Sequence, residues 1–221
     1  VTSTNLVDVV VELTGSVDTT RCIHFVTDDC GMFADVPLTF VGTMAVATIE
    51  VPCGSWTKLC AKDEQHTKWS ETTLSLVGTK YVADSTLVLD GGDTDNDGDV
   101  DINDVTWYLF QFGTPPAPGS CPYGAGPRDA DFSNNGAIGS EDYAFLVDNW
   151  LTTSACSSCV SPSVSGGDRN RLSQSVRVHD AFTEAADLND DGRVDVADVE
   201  VFEARHGLGN ALSARMRATQ R

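Results

Sequence analysis

Apolar and polar positions alternate along Asn5–Leu13, with Val7, Val9, Val11 and Leu13 on one face and Asp8 and Glu12 on the other. A period of two predicts a strand with one buried face. The same reasoning places strands at Cys22–Thr27, Val36–Val41, Met44–Val51, Ser55–Ala61, Thr72–Val77 and Thr86–Asp90. Short strands separated by Gly-, Pro- and Asp-rich turns predict an antiparallel, Ig-like β-sandwich over residues 1–90. Beyond Gly91 the period changes. Ile102–Phe112, Ser140–Leu151 and Val196–His206 carry helical periodicity, and each follows a cluster of Asp, Asn and Gly. The expected class is therefore α+β: the sandwich, then residues 91–221 with three loop–helix units (93–112, 131–151, 187–207) and a basic C-terminal tail. Two connectors, Thr114–Gly126 with four prolines and Thr152–Gly167 rich in Ser and Cys, are long for structureless loops.

Charge narrows the partners. Asp and Glu number 33 against 14 Lys and Arg, a formal charge of −19. Such a chain repels phosphate backbones and anionic lipid, so no nucleic-acid partner is expected. Nor is membrane insertion, because no apolar run approaches the ~20 residues of a spanning helix. Nothing at Val1 reads as a signal peptide, so a secreted chain is expected to be already trimmed. Hydrophobic residues make up 41%, enough for a folded core.

Seven cysteines (Cys22, Cys30, Cys53, Cys60, Cys121, Cys156, Cys159) form no four-ligand zinc pattern. Cys22/Cys30 and Cys53/Cys60 sit at the short spacings of disulfides across a hairpin or loop. A bond from Cys121 to Cys156 or Cys159 would staple the two connectors together. Disulfides favour an oxidising, extracellular space. One thiol is left over, either buried and free or bonded to a neighbouring chain.

The acidic clusters share one twelve-residue template. The first runs Asp93-Thr-Asp95-Asn-Asp97-Gly98-Asp99-Val100-Asp101-Ile-Asn-Asp104, and the third Asp187-Leu-Asn189-Asp-Asp191-Gly192-Arg193-Val194-Asp195-Val-Ala-Asp198. Between them lies Asp131-Phe-Ser133-Asn-Asn135-Gly136-Ala137-Ile138-Gly139-Ser-Glu-Asp142. A hard dication takes six to eight oxygens at about 2.3–2.6 Å, and such a loop can wrap it. Side chains at positions 1, 3, 5 and 12 point inward with the carbonyl of position 7 (Asp99, Ala137, Arg193), while position 9 (Asp101, Asp195) acts through water. Glycine at position 6 makes the sharp turn, and an apolar residue at 8 anchors the loop. Clustered carboxylates repel one another unless a cation compensates them, so the expected ligand is Ca²⁺. The middle loop has fewer charges and Gly139 at position 9, and is expected to bind more weakly.

GDTDNDGDVDINDVTWYL and ADLNDDGRVDVADVEVF resemble dockerin type I calcium repeats, an EF-hand-type loop closed by Asp at position 12 and followed by one helix. TRCIHFVTDDC, VPCGSWTKLCAKDEQHT and VGTKYVADSTL resemble the β-rich domain that precedes such repeats in secreted proteins of planctomycete-like bacteria. The resemblance implies calcium in each loop. In dockerins, positions 10 and 11 help to read a cohesin partner. Here they are Ile102/Asn103, Ser140/Glu141 and Val196/Ala197, which repeat no recognition pair.

No GxSxG, HExxH or P-loop is present, and His24, His66, His179 and His206 join no nucleophile motif. The expectation is a non-enzymatic, secreted calcium-binding structural protein that self-assembles with other copies into a filament or surface layer through head-to-tail contacts. A free N-terminal strand would extend a neighbour's sheet, and the tail (Arg205, Arg215, Arg217, Arg221) would dock on an acidic neighbour. The alternatives are an adaptor for a cohesin-like partner, or a non-catalytic, surface-glycan-binding module of a carbohydrate-active system.

Overall fold

A computed structural model describes residues 4–15, 19–28, 33–63, 65–117, 119, 121, 129–156 and 175–219. Strand β1 (Thr4–Leu13) buries Val7, Val9, Val11 and Leu13, each no more than 1% exposed. It pairs with strands on both edges. Along one edge β4 (Met44–Pro52) runs antiparallel, with Asn5 opposite Val51 and Val11 opposite Ala45. The other edge is divided between β7 (Lys80–Ala83) and β8 (Leu87–Leu89), both parallel to β1. The N-terminal strand is therefore interior to the sheet and not free to extend a neighbour's. The expected wholly antiparallel pairing fails at this edge.

The remaining strands are β2 (Thr19–Thr27), β3 (Phe33–Phe40), β5 (Lys58–Asp63) and β6 (Ser70–Val77). They complete a continuous path, β3-β2-β5-β6-β7-β1-β4, with β8 beside β1. Strand β6 bridges the two halves: Ser70–Thr73 pair with β5, and Leu74–Val77 pair with β7. The end strands β3 and β4 meet through the turn closed by Val41 and Met44. The result is a β-rich, nearly closed sheet around Val7, Phe25, Phe40, Ile49, Leu59 and Leu89.

Residues after Gly91 build a second hydrophobic cluster that includes Val100, Tyr108, Phe132, Leu146, Val199 and Phe202. Its helices are α1 (Ile102–Gln111), α2 (Ser140–Asn149), α3 (Ala181–Ala186), α4 (Val196–His206) and α5 (Ala211–Thr219). A short ribbon, β9 (Val176–Arg177) with β10 (Arg193–Val194), joins them. The C-terminal tail is helix α5, docked by Leu212 and Met216, both 0% exposed. Arg217 pairs with Glu200 and Arg215 with Asp148 of the same chain. Arg221 lies outside the described residues.

Glu203 of α4 is the polar anchor of this docking. It is 3% exposed and accepts from the hydroxyl of Tyr143, the Ser213 hydroxyl at 2.5 Å, and the Leu212 and Ser213 amides at 3.1 and 3.3 Å. Those amides belong to the first turn of α5, which has no intrahelical acceptors for them. Glu203→Ala strands these donors in an apolar setting, and a loss of about 3 kcal/mol in urea unfolding is expected.

The disulfides correct the sequence reading. Cys22 bonds Cys121, and Cys60 bonds Cys156. Leu59 and Ala61 face the sheet core, so Cys60 and Lys62 point to the opposite face of β5, where the connectors lie. Short sequence spacing is therefore misleading: Cys53 is exposed, whereas Cys60, seven residues on, is buried. The connectors are stapled to the sheet and not to one another. Cys53 is free and exposed, while Cys30 and Cys159 lie outside the described residues.

Candidate metal centre

The three acidic segments fold alike. In each, the position-12 carboxylate joins the two ends of its loop. Its Oδ1 accepts the amide of position 3 (Asp95, Ser133 and Asn189, at 3.2, 2.8 and 3.2 Å). Its Oδ2 accepts the amide of position 9 (Asp101, Gly139 and Asp195) at 2.8 Å every time. The position-1 carboxylate accepts the amide of the position-6 glycine: Gly98 to Asp93, Gly136 to Asp131 and Gly192 to Asp187. Position 5 (Asp97, Asn135, Asp191) accepts the amide of position 7 (Asp99, Ala137, Arg193). Positive φ recurs at position 4 (63°, 55° and 59°) and at the glycine (97°, 88° and 87°), a left-handed bend that glycine accommodates without strain.

Carboxylates at positions 9 and 12 also start the helices. Asp101 and Asp195 are N-caps of α1 and α4, accepting from Asn103 and Ala197 at 2.7 and 2.8 Å. The position-8 residues Val100, Ile138 and Val194 are buried in the second cluster. Loops 1 and 2 are tied reciprocally there. Leu151 N–H donates to the Val100 carbonyl at 2.8 Å, and Gly113 N–H donates to the Ile138 carbonyl at 2.9 Å. Loop 3 instead pairs with β9, and the short helix α3 leads directly into Asp187.

Loop 1 brings its carboxylates closest. Ligand oxygens of Asp93, Asp95 and Asp97 lie within 4.8 Å of one another, as do those of Asp99, Asp101 and Asp104. Asp93 and Asp104 are 0% exposed. Burial, then repulsion from Asp97, Asp93 and Asp101, pushes Asp95 up to about 8. Burial with Asp97, Asp101 and Asp93 pushes Asp99 up to about 8 as well. Asp104 is raised well above the carboxylate range by burial and by Asp95 and Asp93. Asp93 Oδ1 and Asp99 Oδ1 are buried with no hydrogen-bond partner. Orphaned, mutually repelling carboxylate oxygens crowded into one loop are the donor set a hard divalent cation satisfies.

Loops 2 and 3 share the hydrogen-bond frame but not the charge density. Among the described residues, neither brings three acidic ligand atoms so close. In both, the position-1 Oδ1 accepts the amide of position 5, Asn135 or Asp191, at 3.0 and 3.2 Å. Ser133 and Asn189 are neutral at position 3, and Asp191 and Arg193 are exposed. Burial raises Asp142 and Asp198, opposed by the amides each accepts.

The sheet reaches the loops through two cations that no spacing in the sequence marks. Lys62, 1% exposed on β5, places Nζ 3.1 Å from Asp93 Oδ2 and bonds Asn96 Oδ1. Arg21 of β2 donates to Asp63 at 2.8 Å and to Asn134 Oδ1 at 2.6 Å. Both loops are thus met at position 4. The carbonyl of buried His66 accepts the amides of Gly92 and Asp93, fixing the entry to loop 1. Burial, then the Arg21 charge, pushes the His66 ring down to about 3 and keeps it neutral.

Comparison with protein-family models and with curated proteins returns no match.

A pH prediction follows for the ion-free protein. Folded Asp95 and Asp99 titrate near 8 and Asp129, raised chiefly by burial, near 7, whereas unfolded aspartates titrate near ~4. A raised folded-state pKa contributes stability that is lost as pH rises through it. In chelator, the melting temperature is expected to rise as pH falls from about 8.5 to about 7.5, above the range where unfolded His66 takes up a proton. With calcium, whose charge favours the ionised carboxylates of loop 1, the slope is expected to shrink. Melts in the two buffers check this.

Proposed function

We propose that this chain is a secreted, calcium-binding structural module whose loop–helix repeats, of dockerin type, are locked to a β-rich body, Ig-like in its strand pattern, by two disulfides. One observation carries the calcium reading: a hydrogen-bond frame repeated three times around acidic loops, with buried, unpartnered carboxylate oxygens in the first. In loop 1 the ligands are Asp93, Asp95, Asp97 and Asp104, with Asp101 behind them. In loop 3 they are Asp187, Asn189, Asp191 and Asp198, with Asp195 behind, and in loop 2 Asp131, Ser133, Asn135 and Asp142. The bound ion supplies charge compensation and cross-links each loop. The chain's own residues orient the carboxylates and pin the loops to the helices and to β5. The Cys22–Cys121 and Cys60–Cys156 bonds support an oxidising, extracellular setting, and among the described residues no helix is long and apolar enough to cross a membrane.

Assembly with other copies completes this reading. Strands β3 and β4 end the sheet path, and Val41 and Val46 beside them are each 79% exposed. Exposed apolar side chains where the two end strands meet favour contact between copies. The adaptor alternative fits less well, because Ile102 at loop position 10 is 0% exposed and unavailable to a partner. Negative-stain electron microscopy of calcium-loaded and chelated material tests the proposal. Filaments or sheets with calcium that disperse on chelation are expected, whereas monomers under both conditions contradict the assembly.

A further inference from the structure

Lys62 is a cation buried inside an acidic loop. Its strand, β5, is buried on both faces: Leu59 and Ala61 enter the sheet core, while Cys60 and Lys62 meet the segments after Gly91. The ammonium lies 3.1 Å from Asp93 Oδ2, donates to Asn96 Oδ1, and stands 5.9 Å from the centre of the Trp69 ring. Asp93 divides its two oxygens. Oδ2 takes Lys62 and the Gly98 amide, and Oδ1, equally buried, takes nothing. In loops 2 and 3 the corresponding carboxylates, Asp131 and Asp187, use both oxygens on loop amides. Among the described residues, neither forms an ion pair with a Lys or Arg.

We propose that the Lys62 ammonium is a resident counter-cation of loop 1, which holds that loop folded when calcium is absent and lowers its affinity when calcium arrives. The inference rests on the calcium reading of loop 1. A buried carboxylate without a counter-charge is costly, and loop 1 places Asp93 among five further aspartates. Lys62 supplies one positive charge to the ion-free loop through Oδ2 and leaves Oδ1 for an incoming ion. Once that ion is bound, two cations share one carboxylate, and their repulsion weakens binding by a factor on the order of tenfold. Loop 1 thereby stays shaped for binding at low calcium and releases the ion more readily than its charge count implies. Loop 3, with no such cation, depends on calcium alone.

The test uses the full chain and two variants, Lys62→Met, which removes the charge, and Lys62→Gln, which keeps hydrogen-bonding capacity without it. Melting temperatures are read in chelator and in saturating calcium, and calcium itself is titrated by calorimetry. Both variants are expected to melt lower in chelator, to gain more from calcium than the parent does, and to bind at loop 1 about tenfold more tightly. The loop 3 affinity stays unchanged, and Lys62→Arg restores the parent's calcium increment. An increment equal to or smaller than the parent's overturns the inference, as does a variant that fails to fold even in saturating calcium. A parent that takes up no calcium sinks the calcium reading and this inference together. Normal uptake with an unaltered increment in the variants sinks the lysine's role alone.

Discussion

Removing the Cys60–Cys156 bond by paired Ala substitution is expected to lower the melting temperature by about 5–15 °C, from a loss of about 2–4 kcal/mol. Two features make the effect large. The bond closes a segment of 96 residues, and Cys22–Cys121 closes an overlapping one of 99, so each restricts the unfolded chain over a long span. Each also joins β2 or β5 of the sheet to the segments after Gly91, where Lys62 and Arg21 meet loops 1 and 2. Losing the covalent tie exposes those buried charges to separation. Because the loops overlap, removing both bonds costs less than twice the single loss. Cys53→Ser, at an exposed free thiol, serves as the control with no expected change. Thermal melts of the three variants check the ranking, and a drop of under 2 °C on losing Cys60–Cys156 contradicts it.

Asp104→Ala is expected to have the second large effect, and to act twice. Its carboxylate accepts the amides of Thr94, Asp95 and Asp101, at 2.7, 3.2 and 2.8 Å, in a site with no exposure. Stranding these three amides, two of them buried, costs about 3 kcal/mol even in chelator. The substitution also removes a ligand, so calcium-dependent stabilisation at loop 1 disappears with it. Asp104→Asn separates the two roles. The amide oxygen keeps part of the frame while the charge is lost, so stability in chelator falls little and calcium affinity falls strongly. Urea unfolding with and without calcium distinguishes these outcomes.

Much of this architecture is legible in residue order. Alternation along Asn5–Leu13 locates β1, and the template Asp-x-Asp/Asn/Ser-x-Asp/Asn-Gly locates each loop frame, because backbone bends at positions 4 and 6 demand particular residues. The helix after loop 3 follows the expected Val196–His206, fixed by the Asp195 cap at one end and Gly207 in the left-handed region at the other. Local chemistry sufficed there. Strand β7 escapes notice because four residues after a Gly78–Thr79 turn are too short for a periodic signal, although the turn itself is the clue. Helix α5 hides behind its arginines. Leu212 and Met216, four apart, are the signal that a solvated tail would lack. Long-range facts are the least accessible. Which cysteine meets which, and which cation meets Asp93, depends on the outer face of β5 being covered by segments far away in sequence. No local pattern encodes that cover.

Calcium titration of chelator-treated protein by isothermal calorimetry is the decisive measurement. Saturable binding at two sites or more is expected, with one site lost in Asp104→Asn and another in Asp198→Asn. A parent protein that takes up no calcium at millimolar concentration would contradict it.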